Sequence, residues 1–296
     1  MSLPRIAPYP MPGAAALPAN RVTWRPDPDR AALLVHDMQR HFLAPFDRGR
    51  EPIPQLLANV AALRRCCAEL AVPVIYSAQP AGQTTEQRGL LQDFWGDGIA
   101  DDPAAAAIVD ELAPGDDEVV LTKWRYSAFV RTDLLAQLQA AGRDQLVICG
   151  VYAHIGCLST ALHAFMQEIE PFVVADAVAD FSLDEHRLAL RWAAGRCATV
   201  TTTAHVLADL RAAGGVTLEQ LRADVLAALE QPPAQLAEDD NLVDAGLDSM
   251  TLMSLVTAWR ARGAEIDFED LAEAEPTLAA WHGALRSAHR RGAGVG

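Results

Sequence analysis

A chain of 296 residues has room for one full α/β domain and a small second one. Its net charge of −15 at pH 7 argues against nucleic acid as a partner. Hydrophobic residues make up 51% of it, yet no apolar run approaches the ~20 residues that span a bilayer, and prolines fill the N-terminal stretch where a signal peptide needs an apolar core. The expectation is a soluble, cytoplasmic protein with no membrane partner.

Residues 1–30 are rich in proline and alanine, show no period, and are expected to form an arm lying on the first domain. Ala31-Ala-Leu-Leu-Val-His-Asp37 reads as a buried strand ending in a carboxylate, followed by a helix with apolar positions at Leu56, Val60, Leu63 and Leu70. A second strand covers 72–79. The next 36 positions, 80–115, are punctuated by glycine and hold Arg88, Phe94 and Trp95; a connection that long in a compact domain points to function. A third strand, 119–122, leads into Lys123. Then come a helix over about 131–141, a strand from Gln145 to Cys149 that runs into Gly150, and a helix from Gly156. A strand over 170–176, a helix over about 184–196 and a strand over 198–202 complete the pattern. Strands alternating with helices imply a three-layer α/β fold around a parallel sheet. No G-x-G-x-x-G or Walker loop occurs, so no nucleotide site is expected.

The alternation stops after Leu210. Residues 211–216 are expected as a linker and 217–296 as a small helical bundle, so the domains are 1–210 and 217–296. Thr217–Glu230 reads as an amphipathic helix with Leu218, Leu221, Val225, Leu226 and Leu229 on one face. A loop with Pro232-Pro233 follows, then helices from Ser249 to about Arg262 and after Pro276. This last quarter holds 14 acidic against 6 basic residues, more than half of the net charge, which suits basic partner surfaces.

Ligands of open α/β sheets sit beyond the carboxyl ends of the strands. Asp37, Gln79, Lys123 and, past the Gly150 turn, Cys157 fall there. A carboxylate, a lysine and a thiol at one sheet edge suit an activated nucleophile, with the lysine favouring the thiolate. A helix starting at Gly156–Cys157 would add free backbone N–H groups to the same crevice. Each residue also has a plain structural reading: Asp37 as a cap, Lys123 as a surface residue, Cys157 as core. The five cysteines (66, 67, 149, 157, 197) show no Cys-x-x-Cys pairing, histidines show no His-x-x-x-His spacing, and no metal site is expected.

Leu33-Leu-Val-His-Asp-Met-Gln39, Ser77-Ala-Gln-Pro80, Lys123-Trp-Arg-Tyr-Ser-Ala-Phe129, Gly150-Val-Tyr-Ala-His-Ile-Gly156 and Val174-Ala-Asp-Ala-Val-Ala-Asp-Phe-Ser182 closely resemble the isochorismatases of the isochorismatase-like (cysteine hydrolase) superfamily. The resemblance covers about residues 1–210. It implies hydrolysis of the vinyl ether of isochorismate to 2,3-dihydro-2,3-dihydroxybenzoate and pyruvate, a reaction that needs a general acid and no sulfur nucleophile. It assigns the acid to Asp37 with Lys123 beside it. Gln79, Arg88, Lys123 and the Gly156 amide match positions that hold the substrate or its leaving group, and Phe42, Trp95 and Tyr152 match the ring and pocket wall. A cis peptide at Val151–Tyr152 is also implied. Cys157 stays open between participant and bystander. So do two other readings of the enzyme, a cysteine amidohydrolase using Asp37, Lys123 and Cys157, or a hydrolase of 2-amino-2-deoxyisochorismate. A large domain that only scaffolds the small one is a third. Relatives of this fold associate, so a homo-oligomer is expected.

Asp244-Ala-Gly-Leu-Asp-Ser249, followed by Met250, Leu252, Met253 and Leu255, resembles the attachment site of carrier proteins. A serine that begins a helix exposes its hydroxyl at the positive helix end, which favours a phosphodiester; the competing reading is an ordinary N-cap serine. The resemblance implies 4'-phosphopantetheine on Ser249, placed by a phosphopantetheinyl transferase. Together the two resemblances are to proteins that join an isochorismatase to an aryl carrier in catechol siderophore synthesis. The implied partners are an aryl-acid adenylating ligase, which loads 2,3-dihydroxybenzoate, and a condensation domain of a nonribosomal peptide synthetase. Met250, Met253 and Ala258 are expected to face them.

Overall fold

The computed structural model of the protein describes residues 3–115, 118–214, 216, 218–229, 233, 235–261, 264 and 266–293. The chain divides into two compact units, 1–210 and 211–296.

The first unit is built on β1 (Ala31–His36), β2 (Val74–Ala78), β3 (Val119–Thr122), β4 (Gln145–Val151), β5 (Glu170–Ala179) and β6 (Thr199–Thr201). They form one sheet in the order β3-β2-β1-β4-β5-β6, and each neighbouring pair is parallel. Every residue of β1 and β4 is buried, as expected for strands covered on both faces. The period of two divides their side chains between two cores. Leu33, Val35 and Cys149 pack with Leu56, Val60 and Leu63 of α2 (Ile53–Glu69) and with Val206 of α9 (Thr203–Gly214). Leu34 and Ile148 pack on the other face with α6 (Leu134–Ala140), α7 (Leu158–Met166) and α8 (Leu183–Arg196). Ser182 caps α8 by accepting a hydrogen bond from the Glu185 N–H, and Asp184 and Glu185 fill the first turn where negative charge is favoured.

The chain order reverses between β1 and β4. β1 leads through β2 to β3 on one side, and β4 starts the other half. Such a switch point opens a crevice above the strand ends.

Three regions depart from expectation. The 80–115 stretch is more structured than its glycines imply, holding α3 (Thr85–Arg88), α4 (Leu91–Trp95) and α5 (Pro103–Ala106), with α1 (Arg40–Leu43) packed on α5. A capping box starts α3, in which Thr84 and Gln87 each bond the other's backbone. The helix expected from Gly156 begins earlier, as a π-helical turn over Ala153–Cys157 that runs into α7. Residues expected as linker are helical as far as Gly214, while Gly215 lies outside the described residues.

The arm runs over the first unit. Ile6 and Tyr9 are buried, and Asn20 exchanges two hydrogen bonds with the backbone of Val200, at 2.9 and 2.8 Å.

The second unit contains α10 (Leu218–Ala228), α11 (Ser249–Ala261), α12 (Phe268–Ala272) and α13 (Leu278–Ala293). The helix expected over Thr217–Glu230 is seen as α10; Thr217, Glu230 and Pro232 lie outside the described residues, and α12 was not expected. Its core joins Leu221, Val225, Leu252, Val256, Trp259 and Trp281. The Trp259 indole donates to Asp224 at 2.7 Å, which satisfies its N–H inside the core. No described helix of either unit is long and apolar enough to cross a membrane.

Candidate active site

The crevice at the switch point is a cavity lined by Asp37, Phe42, Gln79, Arg88, Trp95, Lys123, Tyr152 and Gly156, together with His36, His41, Tyr126 and Phe181. All eight residues expected there are brought together. Cys157 is not among the lining residues.

Asp37 follows β1 directly, with a left-handed backbone (φ 50) that turns it out of the sheet. Its carboxyl group is held at both oxygens. The Ser77 hydroxyl donates to Oδ1 at 2.7 Å, and Lys123 Nζ reaches Oδ2 at 2.9 Å. Lys123 is 2% exposed and also donates to the Arg125 carbonyl at 2.7 Å. The ion pair is thus buried, with hydrogen bonds offsetting part of the desolvation of both charges.

The floor of the cavity is set by His36. Its Nδ1 lies 2.9 Å from the Val151 carbonyl oxygen, and its Nε2 lies 3.4 Å from that of Tyr126. Burial pushes the His36 pKa down, so the ring is neutral and can donate to only one of them. A side chain at Gly156 would collide with this ring, and one at Gly150 (φ +114) with the His36 backbone. Only glycine lets the β4 end and the following turn come this close. The Val151–Tyr152 peptide is cis, as expected.

The helix amides are less free than the sequence suggests. The His154 N–H donates to Asp180 Oδ2 at 2.7 Å, and those of Ile155 and Cys157 donate to the Tyr152 carbonyl. His154 Nδ1 lies 2.6 Å from Asp180 Oδ1. Burial opposes charge on His154, but Asp180 outweighs it and its pKa is raised. His154, Asp180 and Glu185 could hold a metal ion, yet both Asp180 oxygens already accept hydrogen bonds from this turn, so the cluster acts as a tie that fixes it.

Aromatic rings form the wall. Tyr152 meets Phe42 edge-on and lies 4.3 Å from Phe181, and the Trp95 indole donates to the Tyr126 hydroxyl at 2.7 Å. Arg88 is buried and forms no ion pair among the described residues; its Nε donates to the Gly96 carbonyl and its Nη1 faces Gln79 Oε1 at 3.4 Å. Burial, and then Arg125, lower its pKa. Gln79 is aimed by Gln39, whose side-chain amide bonds both backbone polar groups of Gln79 at 2.8 Å.

Cys157 lies fully buried beside Ala153, Ala161 and Ala164. Burial, first of all, holds its thiol well above the usual range, and the neighbouring Cys149 and carboxylates add to that. It is a neutral thiol packed in an apolar cluster. The sequence did not single out Ser77, Gln39, Tyr126, Phe181 or Asp180, although each lies inside a recognisable motif block.

In the second unit, Asp248 accepts a hydrogen bond from the Thr251 N–H at 2.7 Å and so caps α11. Ser249 is the first helical residue, exposed, and relieved of that duty. Gly246 (φ +101) makes the preceding turn, and Met250 and Met253 are 78% and 59% exposed.

The first unit is therefore a hydrolase-type α/β domain whose cavity offers an acid–lysine pair and an anion-receptive arginine. The chain belongs to the isochorismatase family. The isochorismatase domain model matches residues 31–205, and the phosphopantetheine attachment site model matches 219–285. It is 47% identical over 295 residues to "Isochorismatase" of Bacillus subtilis (strain 168), covering 95% of this chain and 94% of that one. Against "Enterobactin synthase component B" of Escherichia coli (strain K12) the identity is 44% over 281 residues, with 95% and 97% covered. "Phenazine biosynthesis protein PhzD1" of Pseudomonas aeruginosa is 56% identical over 205 residues, covering 69% of this chain and 98% of that one. Among solved structures, an isochorismatase family protein from Burkholderia thailandensis superposes with a TM-score of 0.58 at 27% identity, covering 63% of this chain and 97% of that one.

Proposed function

We propose that the first unit hydrolyses isochorismate to 2,3-dihydro-2,3-dihydroxybenzoate and pyruvate, with Asp37 as the general acid. The observation that carries this reading is a buried carboxyl group, held by Ser77 and Lys123, that faces an aromatic-walled cavity shared with an arginine that has no ion pair among the described residues. Protonated Asp37 gives its proton to the terminal methylene carbon of the vinyl ether. Water adds to the resulting oxocarbenium carbon and loses a proton, and the hemiketal collapses to the ketone of pyruvate and the ring alcohol. Lys123 stabilises the carboxylate left behind, and Ser77 can switch from donor to acceptor as Asp37 changes state. Arg88 and Gln79 hold carboxylate and hydroxyl groups of the substrate, with the Gly156 backbone at the floor and Phe42, Trp95 and Tyr152 around the ring. The burial of Cys157 as a neutral thiol supports the bystander role and weighs against an amidohydrolase.

In the second unit Ser249 is the attachment point for 4'-phosphopantetheine. Its exposed hydroxyl on the first turn of α11 fits that group, and Asp248, by capping the helix, leaves that hydroxyl unengaged. The arm supplies a thiol for an acyl thioester, here 2,3-dihydroxybenzoyl. A phosphopantetheinyl transferase, an aryl-acid adenylating ligase and a condensation domain are the partners this requires, and Met250, Met253 and Ala258 are exposed to meet them. The likeness of the first unit to the phenazine protein supports 2-amino-2-deoxyisochorismate as a second reading. Nearly all of that relative is matched by 205 residues of this chain, and the additional carrier unit favours the first reading.

The test is pyruvate release from each substrate, offered separately and in competition. A preference for isochorismate, lost in Asp37→Asn and kept in Cys157→Ala, supports the reading. A preference for the amino substrate reverses the order of the two, and release untouched by Asp37→Asn removes the general acid.

A further inference from the structure

We propose that His41 is a second anion-recognising residue of the cavity, which takes up a proton as a carboxylated substrate binds and so sets the pH range over which that substrate is held. The inference rests on the functional reading above, in which the substrate brings two carboxylates.

The first unit has five histidines that are buried or half-buried: 36, 41, 154, 163 and 186. Four have ring hydrogen bonds. His36 is held by the carbonyls of Val151 and Tyr126, His154 by Asp180, His163 by the Ser127 hydroxyl, and His186 by Tyr9 and the Ala175 carbonyl. His41 alone has no ring partner among the described residues. Its ring only meets the edge of Phe42, with centroids 5.1 Å apart. It stands where the cavity opens into a neighbouring groove and lines both. A half-buried imidazole with free nitrogens beside a cavity that holds an arginine is available to a ligand.

The count of available donors leads to the same place. Lys123 is committed to Asp37 and to the Arg125 carbonyl. The Tyr152 hydroxyl donates to the Phe42 carbonyl, whereas that of Tyr126 accepts from the Trp95 indole and keeps its own O–H. Arg88 receives one carboxylate. Gln79, the Gly156 backbone and the Tyr126 O–H remain as neutral donors, and among the described lining residues His41 has the free ring nitrogens that can take up a positive charge to meet a second carboxylate.

Proton uptake follows from the charges around that ring. Arg88 faces it from the cavity, with the Asp37–Lys123 pair farther in, and Arg5, Asp47 and Arg48 line the groove on its other side. Burial and then the Arg88 charge lower the His41 pKa, so near neutral pH the free ring carries no proton. A substrate carboxylate on Arg88 cancels that repulsion, and a second carboxylate beside the ring attracts the proton. The pKa of His41 is therefore higher in the complex than in the free protein. Affinity is greatest on the acid side and falls as pH rises between the two values.

The experiment is the pH dependence of kcat and KM for isochorismate, from quenched samples, in the wild-type full-length chain and in His41→Gln and His41→Lys. Wild-type KM should rise about tenfold across the histidine range, the change expected for a shift of one pKa unit on binding. His41→Gln should show a KM that stays high with no such step, and His41→Lys a low KM throughout, since its charge does not titrate there. Circular dichroism confirms that both variants are folded. A wild-type profile retained in His41→Gln, or a flat wild-type KM, overturns the proposal. No pyruvate from wild type at any pH is a different result, which removes the functional reading and this inference with it.

Discussion

Asp37 and Ser249 are the residues on which the two units depend, and their surroundings are opposite. Asp37 is buried at the end of a central strand, bonded by residues 40 and 86 positions away, beneath a wall of aromatic rings. Ser249 is exposed on the first turn of a helix, and its local geometry comes from neighbours within three residues. A group that must protonate carbon works best where water is excluded and its partners are fixed. A group that must be reached by several other proteins has to stand outside. The first site is therefore a product of the whole fold, and the second of one turn and one cap.

The sharpest way to test this contrast is to remove each residue and measure both activities. Asp37→Asn should lower pyruvate release by about a thousandfold, within the usual range for loss of a general acid, while mass spectrometry still shows the arm attached. Ser249→Ala should abolish attachment and leave hydrolysis at the wild-type rate. Loss of both functions in either variant would mean that the units are not independent.

Removing a partner should damage only the buried site. Lys123→Met leaves Asp37 buried without its counter-charge, and the first unit should lose about 3–5 kcal/mol by denaturant unfolding. Mild acid should weaken the first unit through His186. Burial depresses the His186 pKa to about 4, so the unfolded chain, with its histidine near the ordinary value, binds the proton first. The stabilisation is complete above about pH 6.5 and is lost as pH falls toward 4, a contribution of roughly 3 kcal/mol. His186→Gln should flatten that part of the stability profile. The smallest effect belongs to Cys157→Ala, where the rate should stay within about threefold of wild type, because protonating a carbon needs no thiolate. Collapse of the rate would restore the sulfur nucleophile.

The same contrast explains what could be read from the chain beforehand. The apolar runs at 31–36 and 145–149 are uniform enough to mark buried strands. With the shorter run at 119–122, which forms a largely exposed edge strand, they place Asp37 and Lys123 at one sheet edge, while Tyr152 was found through the family resemblance. Ser249 was legible for another reason: its setting is local. The helices α3, α4, α5 and α12 have four or five residues each, too few to display a helical period, and were missed. The earlier start at Ala153 was hidden too, since it depends on the tie to Asp180, 26 residues away. Ser77 and Gln39 matter only through side chains brought in from other strand ends. Asp248 as the cap was readable in principle, but the neighbouring serine is an equally good capping residue.

The N-terminal arm has a consequence for the order in which the protein is made. Tyr9 leaves the ribosome early, yet its hydroxyl bonds the backbone of Asp180 at 2.7 and 3.3 Å and the His186 ring at 3.2 Å. Asn20 waits for Val200. During vectorial synthesis the backbones of Ile6 and Tyr9 can dock early, on the carbonyls of Pro45 and Glu51, but the side chains of Tyr9 and Asn20 wait for partners 171 and 180 positions later. Leu3, which lines the cavity, belongs to the same arm. The arm is thus fastened in two stages, its backbone to the region after β1 and its side chains to β5, α8 and β6.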